Sequence, residues 1–181
     1  MCVCPWWLAY TFDNRLRRLL YKPETVLNPY VKPGMTLLDL GCGMGFFSIA
    51  MASLVGDTGT VIAVDLQQQI LDVMMNRASR ANVAHRIRPY RCNDEDIGPH
   101  TSVDFALACY MLHEVPDRAR FLRQVCATLK PKARFLIMEP KFHVTKRAFA
   151  TSLAIATEAG LVQVDAPVIS MSHTALLSNE A

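Results

Sequence analysis

The chain lacks any apolar run near the ~20 residues that a helix needs to cross a bilayer. Its start carries Trp6, Trp7 and Leu8 but no basic stretch leading into a long apolar segment, so no signal peptide is expected. None of the six cysteines (Cys2, Cys4, Cys42, Cys92, Cys109 and Cys126) forms a C-x-x-C pair. Cys2 and Cys4 stand closer than zinc-knuckle spacing and have no His pair to complete a site, so no metal is expected. Reduced thiols in a cytoplasmic protein are the plainest reading. There is no internal repeat, low-complexity segment or linker. Net charge is small, +3 over 181 residues, which by itself argues for no nucleic-acid partner. Half the residues are apolar and 19% are charged, as in ordinary globular proteins. The length fits a single domain over 1–181, with an aromatic and basic segment, 1–22, ahead of a core over 23–177.

Only eight glycines are present, and three of them alternate in one place, Gly41, Gly43 and Gly45. They sit inside T-L-L-D-L-G-C-G-M-G-F-F-S-I-A-M-A, Thr36 to Ala52. Leu37, Leu38 and Leu40 form a short apolar run suited to a strand buried on both faces. Phe46 to Leu54 is apolar without breakers and predicts a helix ended by Gly56. Strand, glycine turn and helix make a binding turn of nucleotide type, with backbone N–H groups at the helix start aimed at a ligand. The dinucleotide fingerprint needs a third glycine where Phe46 stands. Asp39 would also repel a pyrophosphate, at a cost of about a kcal/mol or more at ~4 Å. A ligand carrying an ammonium and a sulfonium accepts that charge.

The motif D-L-G-C-G-M-G resembles the first motif of the class I S-adenosylmethionine-dependent methyltransferases. Other segments fit in order. Val61 to Val64 reads as a second strand ending at Asp65, which stands 24 residues after Gly41. That is close to the ~20 expected of an acidic residue serving ribose hydroxyls, although a helix-capping Asp would look the same. Ile87 to Cys92 is a third strand, and the resemblance places Asn93 and Asp94 after it, against an adenine ring; many relatives carry Asp where Asn93 stands. Val103 to Cys109 is a fourth strand. The segment after it, L-H-E-V-P-D, resembles the family's own, with Asp117 capping the next helix. Leu129-Lys130-Pro131 is a helix stop before a fifth strand, Arg134 to Met138. The family often has two glycines after that Lys-Pro; here Lys132 and Ala133 replace them. Thr145 to Ala159 is a helix closed by Gly160, and Leu161 to Ile169 with Thr174 to Leu177 read as a terminal strand pair.

The resemblance covers roughly residues 23–177 and implies an α/β fold: a Rossmann-like, doubly wound, mostly parallel seven-stranded sheet with its last strand antiparallel. The branch it most resembles is the ubiquinone/menaquinone-biosynthesis type, which act on small molecules. The implied cofactor is S-adenosylmethionine. Its site would draw on Asp39, Gly41, Cys42, Gly43, Gly45, Asp65, Leu66, Asn93, Asp94, Cys109 and Tyr110. Residues 1–12 could close over it, with Tyr10 in contact, or merely cover a sheet face. His113, Glu114, Glu139 and His143 are the candidates facing the acceptor. His113 can act as a base, with Glu114 beside it, since imidazole titrates near neutral pH, or it can be structural. A Cys42–Cys109 pair able to hold arsenite is a remoter option.

The acceptor is expected to be a small molecule, and the protein a monomer or homodimer. Arg77, Arg80, Arg86, Arg88 and Arg91 read as a solvated basic face rather than a nucleic-acid site. The fourth strand ends in A-C-Y-M-L-H, with neither an Asn-Pro-Pro-Tyr-like nor a Pro-Cys motif. The competing readings are a cofactor-binding regulatory subunit and an NAD-dependent oxidoreductase.

Overall fold

Strand β1, Thr36–Leu40, shows how the chain uses the two faces of its sheet. Alternate side chains of a strand point to opposite faces. Leu37 packs in one core with Phe47, Met51, Leu71 and Met74. Leu38 and Leu40 pack in the other, with Phe121, Leu122, Val125 and Phe149. These partners belong to α2 (Phe46–Val55) and α3 (Gln68–Arg80) on the first face. On the second they belong to α4 (Arg118–Thr128) and α5 (Lys146–Glu158). The structure is a computed structural model that describes residues 22–98 and 101–180.

The remaining strands are β2 (Thr60–Asp65), β3 (Ile87–Arg91), β4 (Val103–Cys109), β5 (Leu129–Pro140), β6 (Leu161–Asp165) and β7 (Ser172–Asn179). They form one seven-stranded sheet in the order β3-β2-β1-β4-β5-β7-β6. Strands β1 to β5 pair in parallel, and β7 runs antiparallel to both β5 and β6. The doubly wound sheet and its antiparallel last strand are as expected. A short helix α1, Pro23–Leu27, precedes β1. A proline at the first helical position predicts a short helix from Pro23 to about Tyr30; α1 stops at Leu27, and the Tyr30 ring stacks on Phe105 with centroids 5.6 Å apart.

Two further boundaries differ from expectation. Leu129-Lys130-Pro131 does end α4, but the chain enters the ladder at once: Leu129 pairs with Val103, and the register then shifts before Phe105 meets Arg134. That irregularity places Lys132 at φ 61, the left-handed region that favours glycine. A non-glycine residue there costs roughly 1–2 kcal/mol, partly offset by the entropy that glycine loses on folding. Lys132→Gly is therefore expected to stabilise the fold by about 1 kcal/mol, a Tm rise of roughly 2–4 °C in thermal unfolding; a fall would show that the lysine side chain stabilises the turn. Strand β6 ends at Asp165 rather than Ile169, because the Asp165 carboxylate accepts the Ala166 N–H (2.7 Å) and Pro167 follows.

Three arginines of the basic neighbourhood act as staples. Arg77 donates to the Met44 carbonyl (3.2 Å) and Arg91 to that of Leu66 (3.3 Å). Arg86 reaches the Ala52 carbonyl (3.1 Å) and Asp57 (2.5 Å). No helix among the described residues is long and apolar enough to cross a membrane.

Candidate active site

A cavity of about 550 Å³ opens at the carboxyl ends of the parallel strands. Gly41, Asp65, Leu66, Asn93, Asp94, Cys109 and Tyr110 line it, together with His113, Glu114 and His143. Open α/β sheets bind ligands at this place, where the strand order reverses between β1 and β4.

The glycine turn reaches the cavity at one end through Gly41. Its Cys42 N–H donates to the Val64 carbonyl (2.9 Å), which ties the turn to β2. Gly45 stands at φ 88 as the cap of α2. Asp65 closes β2 beside the turn and is 9% exposed. Its Oδ2 accepts the Gly43 N–H (3.2 Å) and its Oδ1 the Gln67 N–H (3.0 Å). Burial raises the Asp65 carboxyl, and backbone N–H donors oppose that. A carboxylate oxygen has two lone-pair directions, so each oxygen of Asp65 keeps acceptor capacity beyond its backbone bond. A Cβ built on Gly43 meets nothing within 4 Å, so open space lies directly over the turn. An acidic group with spare acceptor capacity beside bare backbone fits a nucleoside cofactor that bears vicinal hydroxyls and an amino-acid tail.

The other end of the cavity is built by the segment after β4. Tyr110 holds φ 60, a costly conformation for a side-chain-bearing residue, of order 1–3 kcal/mol. Its N–H donates to the Met138 carbonyl (2.8 Å), and its hydroxyl pairs with Ser172 Oγ (2.7 Å). His113 Nδ1 lies 2.6 Å from Glu139 Oε2. The hydrogen bond to Glu139 raises the His113 pKa, against burial, and Glu114 acts in the same direction. Burial pushes the Glu114 carboxyl up, and the nearby Glu139 and Asp65 add to it.

Not every expected residue reaches the wall. Asp39 is 2% exposed, because strand alternation turns it toward α2, and it accepts from Ser48 Oγ (2.5 Å). Cys42, Gly43 and Gly45 also lie off the wall, in the turn behind it. Glu139 is buried behind His113 rather than facing the cavity. The Asn93 side-chain oxygen serves its own loop, accepting from the N–H groups of Glu95 (2.8 Å) and Asp96 (2.9 Å). Burial and the carboxylates Asp39 and Asp65 raise the Cys42 thiol well above its ordinary value. Cys92 is pushed up to about 11, mainly by burial. Among the described residues no group of three or more His, Cys, Asp or Glu is arranged to hold a metal. Tyr10 and the other aromatics of the first segment lie outside the described residues. Sequence reading missed Gln67, Met111, Phe121 and Phe142 on the wall. Only Gln67, two places after Asp65, carried a local signal.

Sheet order, glycine turn and acidic strand end together define a Rossmann-like fold of the nucleoside-cofactor-binding class. Residues 31–166 match a family model described as a methyltransferase domain, and the chain belongs to that family. It is 37% identical over 139 residues to the 2-phytyl-1,4-naphtoquinone methyltransferase of Synechococcus elongatus, covering 73% of this chain and 60% of that protein. It is 29% identical over 134 residues to a ubiquinone/menaquinone biosynthesis C-methyltransferase of Pseudoalteromonas translucida, covering 72% and 53%. The chain thus spans less than two thirds of the length of these curated relatives. Its fold is that of a SAM-dependent methyltransferase from Aquifex aeolicus, with a TM-score of 0.85 and 23% identity over 97% of this chain and 98% of that one.

Proposed function

We propose that the chain is an S-adenosylmethionine-dependent methyltransferase acting on a small, ring-bearing acceptor. The observation that carries this reading is the buried Asp65 carboxylate, bonded to the glycine turn at one end of a cavity whose other end is apolar and holds His113. Gly41, Cys42, Gly43 and Gly45 form the bed for the amino-acid tail. Asp39 steadies that bed through Ser48 at the start of α2. Asp65 and Leu66 serve the ribose, and Asn93 and Asp94 the adenine. Asn93 has only its amide nitrogen to offer, since its oxygen is committed to the loop. Cys109 and Tyr110 border the place where the methyl group is handed over, with His113 and Glu114 on the acceptor side.

Bound here, the cofactor supplies a methyl group already activated on a sulfonium. The protein has then to align the acceptor, exclude water and manage its proton. Met111, Val115, Phe121 and Phe142 offer apolar surface to a flat ring, and the quinone-directed names of the relatives support the same class of acceptor. Calorimetric titration with S-adenosylmethionine and, separately, NAD tests the cofactor. Micromolar affinity for the sulfonium compound alone is expected, followed by transfer of labelled methyl to 2-methyl-1,4-naphthalenediol under anaerobic conditions. A preference for NAD would overturn the reading.

A further inference from the structure

We infer that the two turns at the end of the β5–β7 pair, residues 141–147 and 166–171, dock the protein onto an anionic bilayer surface. The inference goes beyond the methyltransferase reading and does not need it. Pro140 pairs with Ser172, and the Lys141 N–H donates to the Met171 carbonyl (2.9 Å), so the two turns leave the sheet side by side. The first turn is tight: the Pro140 carbonyl accepts the N–H groups of both His143 (3.1 Å) and Val144 (2.8 Å). His173 Nε2 donates to the Val144 carbonyl (3.1 Å) from β7. This frame holds Phe142 outward, 67% exposed. In the second turn Ile169 is buried, while Val168 is 100% and Met171 47% exposed. Met171 takes φ 59, a costly backbone conformation whose product is an apolar side chain left in water. The large apolar side chains exposed among the described residues are Tyr90, Phe142, Val162, Val164, Val168 and Met171, so half of them stand on these two turns. Such a concentration marks an interaction surface.

Charge decides what the surface meets. Residues 141–147 carry Lys141, Lys146 and Arg147 and no carboxylate, and residues 166–171 carry no charge. The three cations are exposed and form no ion pair with any described residue. Lys146 and Arg147 also open α5, where the helix dipole is already positive. Glu114 and Asp165 flank the edge without entering either turn, and Asp94, Glu95 and Asp96 follow β3 at the far side of the sheet. The protein therefore meets an anionic layer by this edge alone. An aromatic and two aliphatic side chains beside cations suit a lipid interface, where apolar groups enter the acyl boundary and cations stay among headgroups. A nucleic acid supplies the anion but gives Val168 and Met171 no apolar phase. A second copy of the chain, seated patch to patch, would set one group of cations against the other. Phe142 and His143 also line the cavity, so a face docked in this way sets the cavity mouth against the lipid.

The test is sedimentation of the full chain with vesicles of phosphatidylcholine, with and without about a third phosphatidylserine. Wild type is expected to bind the anionic vesicles at least about tenfold more tightly than the neutral ones, and raised salt should release it. Val168→Ser with Met171→Asn removes apolar surface, asparagine tolerating the left-handed backbone. It should weaken binding to the anionic vesicles about tenfold. Lys146→Gln with Arg147→Gln should weaken it to a similar extent, about tenfold, and remove most of the salt dependence. Thermal unfolding checks that each variant folds; if one does not, the other decides. Wild type left in the supernatant overturns the inference, as does binding that neither double variant weakens. Concentration-dependent dimerisation lost in Val168→Ser with Met171→Asn, without vesicle binding, would make a second copy the occupant and overturn it too. Vesicle binding by a protein that does not bind S-adenosylmethionine leaves this inference standing and overturns only the methyltransferase reading.

Discussion

Replacing Asp65 by alanine is expected to weaken S-adenosylmethionine binding about a hundredfold or more. A hydrogen bond to a charged acceptor contributes roughly 1.5–3 kcal/mol, and two ribose hydroxyls sharing one carboxylate therefore account for about 3 kcal/mol or more. The substitution does a second thing. It strips the Gly43 and Gln67 N–H groups of their partner, so the glycine turn loses one of its two ties to β2, at the point where the cofactor tail is proposed to lie. The pH dependence follows from burial, which raises the Asp65 carboxyl. As pH falls through that raised value the group takes a proton and loses acceptor capacity. Cofactor affinity should thus decline at a higher pH than an ordinary carboxylate would cause. Stability of the cofactor-free protein runs the other way. The native state holds the Asp65 proton more tightly than the unfolded chain does, so stability declines as pH rises from the ordinary carboxyl range through the raised value. Calorimetry across a pH series, on wild type and Asp65→Ala, reads the binding term directly. Equal affinity of the two proteins near neutral pH would remove Asp65 from the cofactor site.

What could be read from sequence was local. Strand, glycine turn and helix follow one another within a single stretch, and Asp65 ends the very next strand. Asp117 caps α4 through the Arg120 N–H (2.9 Å), as its position before a periodic run implied. What depended on sheet register was hidden. His113 and Glu139 are 26 residues apart, and only the pairing of β4 with β5 brings them together. Asp39 shows the same limit at short range. Alternation along a strand of known phase turns it toward α2 and Ser48, but the phase was not evident until both faces of β1 had partners. The start of β5 was hidden for a different reason. Lys132 is a poor choice for a left-handed turn, and the chain accommodates it through a ladder irregularity that no propensity announces.

The three glycines of the turn divide their work, and alanine substitution should separate two of the roles. At Gly45 (φ +88) an added Cβ meets Met74 Cγ at 2.7 Å and Ile49 Cδ1 at 3.3 Å. Met74 is fully buried, so the clash is with packed core. Left-handed strain of about 1–2 kcal/mol adds to roughly 1–3 kcal/mol of overpacking, so Gly45→Ala should destabilise by about 2–4 kcal/mol. In a domain of this size that lowers Tm by roughly 5–15 °C. At Gly43 (φ +53) the added Cβ meets nothing within 4 Å. Only the backbone strain remains, about 1–2 kcal/mol. That methyl group projects into the open space beside Asp65, where the cofactor tail is proposed to lie. Gly43→Ala should therefore stay folded, with a Tm fall under about half that of Gly45→Ala, yet bind S-adenosylmethionine at least about tenfold more weakly, the ~1.4 kcal/mol expected of a modest steric misfit. Thermal unfolding and calorimetry on the two variants make the comparison. Full affinity in Gly43→Ala would place the cofactor tail elsewhere, and equal Tm losses would mean that the core around Met74 yields more readily than its burial implies.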